Sequence, residues 1–232
     1  AAGSSMDGTL SGVGTTWAGA GTYTVGTDTI VMTGSSKKIY YKDSEAIGSL
    51  TISGTTTLVD IVGGNNQLRI NGTLTVDASK TLSSDSNEYI DMDHADDNLV
   101  INNVATGISG LYKLSLSHGG TQTVPACTTQ RIFCTNSGGT TQATGALTIT
   151  KELQIEGTFN ANGQTIAVKE VDLQSGGTLN LSSSTLLFNV TSTDDALGLH
   201  ADSTLTTGNT TITGYASATK TPATLPAAGG FE

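Results

Sequence analysis

Short alternations of apolar and polar residues run through most of the chain. In "GTLNL", Leu179 and Leu181 would lie on one side of an extended strand, and Thr178 and Asn180 on the other. Phrases such as "GSLTI", "GTLTV" and "GTFNA" show the same alternation, and Gly, Asn, Asp or Ser separates them. The pattern predicts short β-strands with one buried side, and no stretch has the apolar period of a helix.

The alternating phrases recur at intervals of roughly 20–26 residues, within the range of periods that repeat proteins use. "GTFNANGQTI" begins at Gly157 and returns as "GTLNLSSSTL" at Gly177. Related phrases begin at Gly48, at Gly72 and at Ser203. Such a period is typical of coiled repeat proteins, in which each repeat buries its apolar side against the next.

The repeated phrases predict an all-β fold, a parallel β-solenoid (β-helix) with short strands. In such a coil Leu179 would lie above Phe159, and Leu186 above Ile166, about 4.8 Å apart. At about 22 residues per turn the chain would form about ten turns. The alternative is an antiparallel β-sandwich, which the shared phrase and the scarcity of Asn-Gly turns disfavour.

The regularity of the pattern divides the chain into segments. Residues 1–46 are irregular and are interpreted as an N-terminal cap or attachment segment. Residues 47–215 carry the solenoid pattern, with an irregular loop insertion near 107–145, where Gly-Gly pairs and Pro125 interrupt it. We interpret this segment as a lateral loop or as irregular turns of the coil. Residues 216–232 are rich in small residues and proline, which is typical of a linker or tail.

Composition and charge narrow the classes of partner. The 232 residues carry a net charge of −10, and only 5% are aromatic. Nucleic acids and anionic lipids bind clustered Lys and Arg, which this chain lacks, so we expect no nucleic-acid partner. No apolar run approaches the ~20 residues that span a bilayer, so we expect no membrane insertion. No phosphate-binding glycine loop precedes a helix, and we expect no cofactor.

The two cysteines lie seven residues apart in "CTTQRIFC". Cys127 and Cys134 are a candidate disulfide that would close a hairpin-like loop. The alternative is a pair of reduced, inward-facing thiols, and the sequence leaves both open. The spacing differs from the Cys-x-x-Cys spacing of zinc and redox sites.

The densest acidic stretch is "DSNEYIDMDHADDN". In a strand Ile90 and Met92 would face inward, and Asp91 and Asp93 outward. Together with Asp96 these carboxylates are a calcium candidate, since Ca²⁺ prefers oxygen ligands. A solvated acidic surface explains the same residues, and we favour it, so we predict no metal site.

The stretch "LTITKELQIEGTFNANGQTIAVKEVDLQSGGTLNLSSSTLLF" resembles the Gly-Thr-Leu-rich repeats of right-handed β-solenoid proteins. Such repeats occur in bacteriophage tail fibres, tail spikes and capsid-attached fibres, and in secreted bacterial surface adhesins. The resemblance covers residues 48–82 and 146–214. It is a likeness of repeat style, and it implies fold more than function.

One stretch is similar to the pectin-cleaving glycosidases among solenoid proteins. "TSTDDALGLH" holds Asp194 and Asp195 close to His200, and such enzymes use paired carboxylates. The Gly-His-Gly and Arg-Ile-Lys phrases of that family are missing. Adjacent aspartates in a turn are typically solvated, so we predict no catalytic residue.

These observations favour a non-enzymatic structural protein that forms a stiff, exposed rod. The expected setting is the surface of a phage virion, as a capsid decoration or fibre or as a tail-fibre segment. Its partners would be other virion or surface structural proteins and further copies of itself, with a trimer as one arrangement. The alternative is a secreted, extracellular adhesin or filament module that binds glycans or cells, and a polysaccharide hydrolase or lyase is the less favoured third hypothesis.

Overall fold

A computed structural model describes residues 16–17, 21–22, 29–41, 45–60, 67–93, 99–101, 107–136, 138–189 and 197–214. These residues form a parallel β-solenoid of about seven turns, without a helix among them. The one antiparallel pair in the described residues joins β1 (Thr16–Trp17) to β2 (Gly21–Thr22). All other strand pairs there are parallel, so the sandwich alternative is wrong.

The coil has three sides, each built from strands of successive turns. The first side consists of the first halves of β3 (Thr29–Tyr41) and β5 (Ser49–Asp60), then β7 (Leu74–Val76), β10 (Leu99–Ile101), β12 (Thr121–Val124), β14 (Thr140–Ala143), β16 (Thr158–Asn160), β18 (Thr178–Asn180) and β21 (Thr204–Thr206). The second side consists of the second halves of β3 and β5, then β8 (Thr81–Ser84), the first halves of β13 (Cys127–Cys134), β15 (Leu147–Ile155) and β17 (Thr165–Leu173), then β19 (Thr185–Phe188) and β22 (Thr211–Gly214).

The third side continues through most of the coil. It consists of β4 (Glu45–Ile47), β6 (Gln67–Ile70), β9 (Tyr89–Met92), β11 (Lys113–Leu116), the second halves of β13, β15 and β17, and β20 (Leu197–Leu199). Strands β13 and β15 pass from the second side to the third at a register shift, between Thr129 and Arg131 in β13. A bulge of this kind bends a strand, which lets one strand serve two sides.

The pairing register confirms the predicted stacking. Leu179 pairs with Phe159, and Leu186 pairs with Ile166. Leu50 likewise pairs with Leu74, at the same place in the phrases that begin at Gly48 and Gly72. The repeated phrase therefore marks equivalent positions on neighbouring turns.

The core is a single aliphatic column inside the three sides. Its largest fully buried side chain is Phe159, and most of the others are Leu, Ile and Val. A few inward positions are polar, and among them Gln122 donates a hydrogen bond to the carbonyl oxygen of Met92 at 3.0 Å. Such a partner offsets the cost of burying an amide, so a polar residue can occupy a place in the column.

Four-residue turns form the corner between the first and second sides. The amide of Gln164 donates to the carbonyl of Ala161, and that of Ser184 to the carbonyl of Leu181. The third residue of each turn has a positive φ, 74° at Gly163 and 60° at Ser183. Gly, Asn and Ser suit tight turns, which explains why Asn-Gly-Gln and Ser-Ser-Ser occupy equivalent places in the two copies of the phrase.

The glycine that opens the phrase is required by a close approach of the backbone. A Cβ atom on Gly177 would lie 2.4 Å from the carbonyl oxygen of Ile155. No larger residue fits unless the corner between the third and first sides moves.

Two sequence-based boundaries are corrected by the strand pairing. Strand β3 pairs in register with β5, so the coil already includes residues 29–41, which were assigned to the cap. Residues 107–145 hold β11 to β14, which pair with their neighbours, so the described part of this segment is coil and not a loop insertion. The count of about ten turns was too high, and the linker at 216–232 lies outside the described residues.

Candidate functional surface

The three sides share one interior but differ on their outer surfaces. Outward side chains on the third side form two columns that run along the coil, and we call this surface the charged face. The first column is Gln67, Tyr89, Lys113, Arg131, Glu152 and Glu170. The second column is Arg69, Asp91, Ser115, Phe133, Gln154 and Asp172.

Lys113 lies between two aromatic rings on the charged face. Its Nζ is 3.5 Å from the ring centroid of Tyr89 and 4.6 Å from that of Phe133. Burial lowers the pKa of Lys113, and the neighbouring Asp91 opposes this by favouring the charged form. The ammonium group of Lys113 is therefore partly desolvated and makes cation–π contacts with Tyr89 on the preceding strand and Phe133 on the following strand.

Arg131 and Glu152 form an ion pair across the next two strands. Arg131 Nε lies 3.3 Å from Glu152 Oε2, and its guanidinium lies 4.4 Å from the ring centroid of Tyr112. Burial raises the pKa of Glu152, and the negative charge of Glu170 adds to that effect. The first column of the charged face therefore changes from basic to acidic between β13 and β15.

The calcium candidate is occupied by a cation of the protein itself. Arg69 Nε lies 3.7 Å from Asp91 and 3.3 Å from Asp93, and Gln67 donates a hydrogen bond to Asp91. Asp91 is outward-facing as predicted but only 4% exposed, because these side chains cover it. The third proposed ligand, Asp96, lies outside the described residues.

The structure corrects the disulfide hypothesis. Cys127 and Cys134 occupy the two ends of β13, about 23 Å of extended strand apart. Bonded cysteines need Cα atoms within about 7 Å. Both are buried free thiols, and burial raises the pKa of each to about 12, which keeps them protonated and unreactive.

The carboxylate pair of the enzyme hypothesis cannot be placed. Asp194 and Asp195 lie outside the described residues. Their neighbour His200 is exposed, with Nε2 3.6 Å from Asp172 Oδ1 at the end of the charged face. In the described ranges no three His, Cys, Asp or Glu side chains are grouped to hold a metal ion.

The outer surface of the first side is uncharged and repetitive over its C-terminal half. We call it the threonine face. One column is Thr121, Thr140, Thr158, Thr178 and Thr204, and the next is Thr123, Gln142, Asn160, Asn180 and Thr206. Strand spacing separates the members of a column by about 4.8 Å, so the face presents a regular array of small polar groups.

Sequence reasoning missed the charged face as a unit. The signal was present, because "QLRI", "YIDM", "KLSL" and "ELQI" each alternate and place their polar residues outward. The pairings that link these strands, such as Leu68 with Ile90 and Ile90 with Leu114, span unequal lengths of chain. Without a fixed period the columns could not be assembled from the sequence.

No described residues form a helix long and apolar enough to cross a membrane.

Comparisons with known proteins add no identification. No protein-family model matches the chain, and no curated protein or solved structure matches it. Its assignment to the parallel β-solenoids therefore rests on its own strand pairing.

Proposed function

We propose that this protein is a non-enzymatic structural component, a stiff rod on the exposed surface of a larger assembly. The setting we favour is a phage virion, where the rod is a capsid decoration or fibre or a segment of a tail fibre. Its partners are other structural proteins of the particle and further copies of itself. The resemblance in repeat style supports this setting, and the fold supports the mechanical role.

One observation carries the proposal: a single apolar core runs through the described turns of the coil, and the strand pairing on the third side links successive turns from β4 to β20 without a break. Each turn is held to the next by main-chain hydrogen bonds on up to three sides, which yields a shape that resists bending. About seven turns at about 4.8 Å each give a rod of ~34 Å.

The experiment is immunogold labelling of the native source material, with virions and host cells on one grid. Gold on capsids or tails is the expected result, and its position identifies the part that this protein builds. Gold on cell envelopes or extracellular filaments, with none on virions, would reject the virion setting. An antibody raised against an unrelated rod-shaped protein is the matched control for nonspecific labelling.

The threonine face favours a second function, glycan binding by a secreted surface module. Its two columns are uncharged and combine hydroxyl, amide and methyl groups, as suits a neutral sugar polymer. Glycan-array binding that is lost in Thr158→Lys and retained in Lys80→Glu, at a corner away from this face, would support it. An array without any signal would remove it.

A further inference from the structure

The charged face is arranged so that two copies of it complement each other. Along its first column the cations come first, Lys113 and Arg131, and the anions follow, Glu152 and Glu170. The change of sign falls between β13 and β15, near the middle of the face. A column that carries cations before this point and anions after it is complementary to a reversed copy of itself.

The geometry of the reversal determines which residues meet. A twofold axis that lies between β13 and β15, parallel to the strands, reverses strand order and keeps position along each strand. Arg131 then lies opposite Glu152 of the second copy, and Lys113 lies opposite Glu170 of the second copy. Symmetry repeats both contacts, so that one dimer contains four pairs of opposite charge.

The remaining outward positions agree with this register. Ser115 meets Asp172 of the second copy, and Phe133 meets Gln154. At the edge of the face Asp93 meets His200, whose imidazole already lies 3.6 Å from Asp172 in its own chain. Among the described residues of the face, no like charges oppose each other in this arrangement.

Other arrangements of the same two faces bring like charges together. An axis along the coil keeps strand order and places Glu170 opposite Asp172 of the second copy. Moving the twofold axis by half a strand spacing, onto β15, shifts the register by one strand and places Glu152 opposite its own counterpart. Facing like charges cost several kcal/mol at an interface, so charge selects both the orientation and the register.

We propose that the charged face is a homodimer interface in which two coils pack side by side in antiparallel orientation. The second copy is the partner because the face complements itself more fully than it would complement a uniformly charged surface. The contact covers six strands, a length of ~29 Å. This is the small end of specific interfaces, so the dimer is weak and its affinity falls as salt is raised.

The test uses the full chain in sedimentation equilibrium at low salt, with the charge-reversal variants Lys113→Glu and Glu170→Lys. Each variant places like charges opposite each other at two symmetry-related points, which raises the dimer dissociation constant by about tenfold or more. A mixture of the two variants restores both contacts in a heterodimer. The expected result is two weakened proteins that associate when they are mixed.

Lys80→Glu is the matched control, because it reverses a charge at a corner that the interface does not include. It should dimerise like the original chain. Glu170 is exposed, so Glu170→Lys decides the question even where Lys113→Glu fails to fold. A monomeric original chain at low salt, a trimer, or variants that do not associate on mixing would each overturn the proposal. Because none of these readouts depends on virions, the dimer and the proposed function fail independently.

Discussion

The threonine face and the charged face are two outer surfaces of one coil, and they differ in how much their side chains vary from turn to turn. On the threonine face Thr158 and Thr178 repeat the same side chain from turn to turn. On the charged face Arg131 and Glu152 place opposite charges on adjacent turns. Inside, both sides bury aliphatic or aromatic residues in register.

The difference shows which positions determine the fold and which are free. Most inward residues are apolar, and each must fit the space left by the turns above and below because they share one column. Outward residues need only be compatible with the extended backbone of a strand. Selection can therefore make the outward residues of one face uniform and those of the other face varied. The predictions below test this separation, in order of decreasing effect.

The largest effects should come from the interior, and they should be alike on both sides. Phe159→Ala under the threonine face should lower the free energy of unfolding by about 3–5 kcal/mol, and Leu153→Ala under the charged face by about 2–5 kcal/mol. Denaturant unfolding measures both. Their outward neighbours serve as controls, and Thr158→Ala and Gln154→Ala should change stability by less than about 0.5 kcal/mol. A large loss for Thr158→Ala would contradict the separation.

The next effect concerns the corner that leads onto the threonine face. Gly177→Ala should cost about 1–3 kcal/mol, because its Cβ would lie 2.4 Å from the Ile155 carbonyl oxygen. Gly208→Ala is the matched control, since its Cβ would meet nothing closer than 3.7 Å, at Ser182 Oγ. Thermal melting of the two variants side by side makes the comparison, and equal melting temperatures would show that the corner adapts.

A smaller effect distinguishes the two faces from each other. A double-mutant cycle on Arg131 and Glu152 should give a coupling energy of about 0.5–1 kcal/mol, because both side chains are only 21% and 23% exposed. The cycle on Thr158 and Thr178 should give a few tenths of a kcal/mol. Both cycles belong at low protein concentration, where the weak dimer dissociates and the ion pair is not screened by added salt. A coupling for the threonines that matched the ion pair would remove the distinction.

The smallest effect is a dependence of stability on pH to which Lys113 and Glu152 of the charged face contribute and the threonine face does not. Burial lowers the pKa of Lys113, so between that value and 10.5 the unfolded chain binds more protons and stability rises with pH. The pKa of Glu152 is raised, so stability falls as the pH rises from its ordinary value, 4.5, through the raised one.

Denaturation midpoints measured across pH for Lys113→Met and Glu152→Gln check this dependence. Each variant should flatten its own part of the profile, while Thr158→Val should leave the whole profile unchanged. A profile that neither charged-face variant alters would assign the dependence to other groups.

The sequence was sufficient for the fold where the repeats are most alike. The phrases at Gly157 and Gly177 predicted the stacking of Leu179 on Phe159 because they match position for position, without insertion or deletion. Between residues 107 and 145 the Gly-Gly pairs and Pro125 predicted a loop or irregular turns, and the inward positions Gln122 and Thr141 are polar, which hides the strand pattern there. Pattern recognition relies on apolar inward residues, and buried hydrogen bonds replace them in these turns.

The candidate surfaces were less accessible to sequence reasoning than the fold. Outward polar residues were predicted on single strands, but the contact of Lys113 with Tyr89 and Phe133 depends on the unequal lengths of chain that separate β9, β11 and β13. The lengths of the corners between strands determine those separations, and these lengths vary from turn to turn without a fixed period. The choice between a disulfide and two reduced thiols stayed open for a related reason, because one bulged strand takes the place of the loop that a disulfide would close.

Strand pairing between successive turns has a mechanical consequence, because these hydrogen bonds point along the rod. Tension applied to the two ends loads the turns in series, so that the terminal turn detaches while the rest stay intact. Each detached turn of about 20 residues lengthens the chain from about 4.8 Å to roughly 68 Å. Under tension along its axis the molecule would therefore lengthen in steps, one turn at a time, and dissipate mechanical energy. Forces applied across the axis would meet a stiff rod.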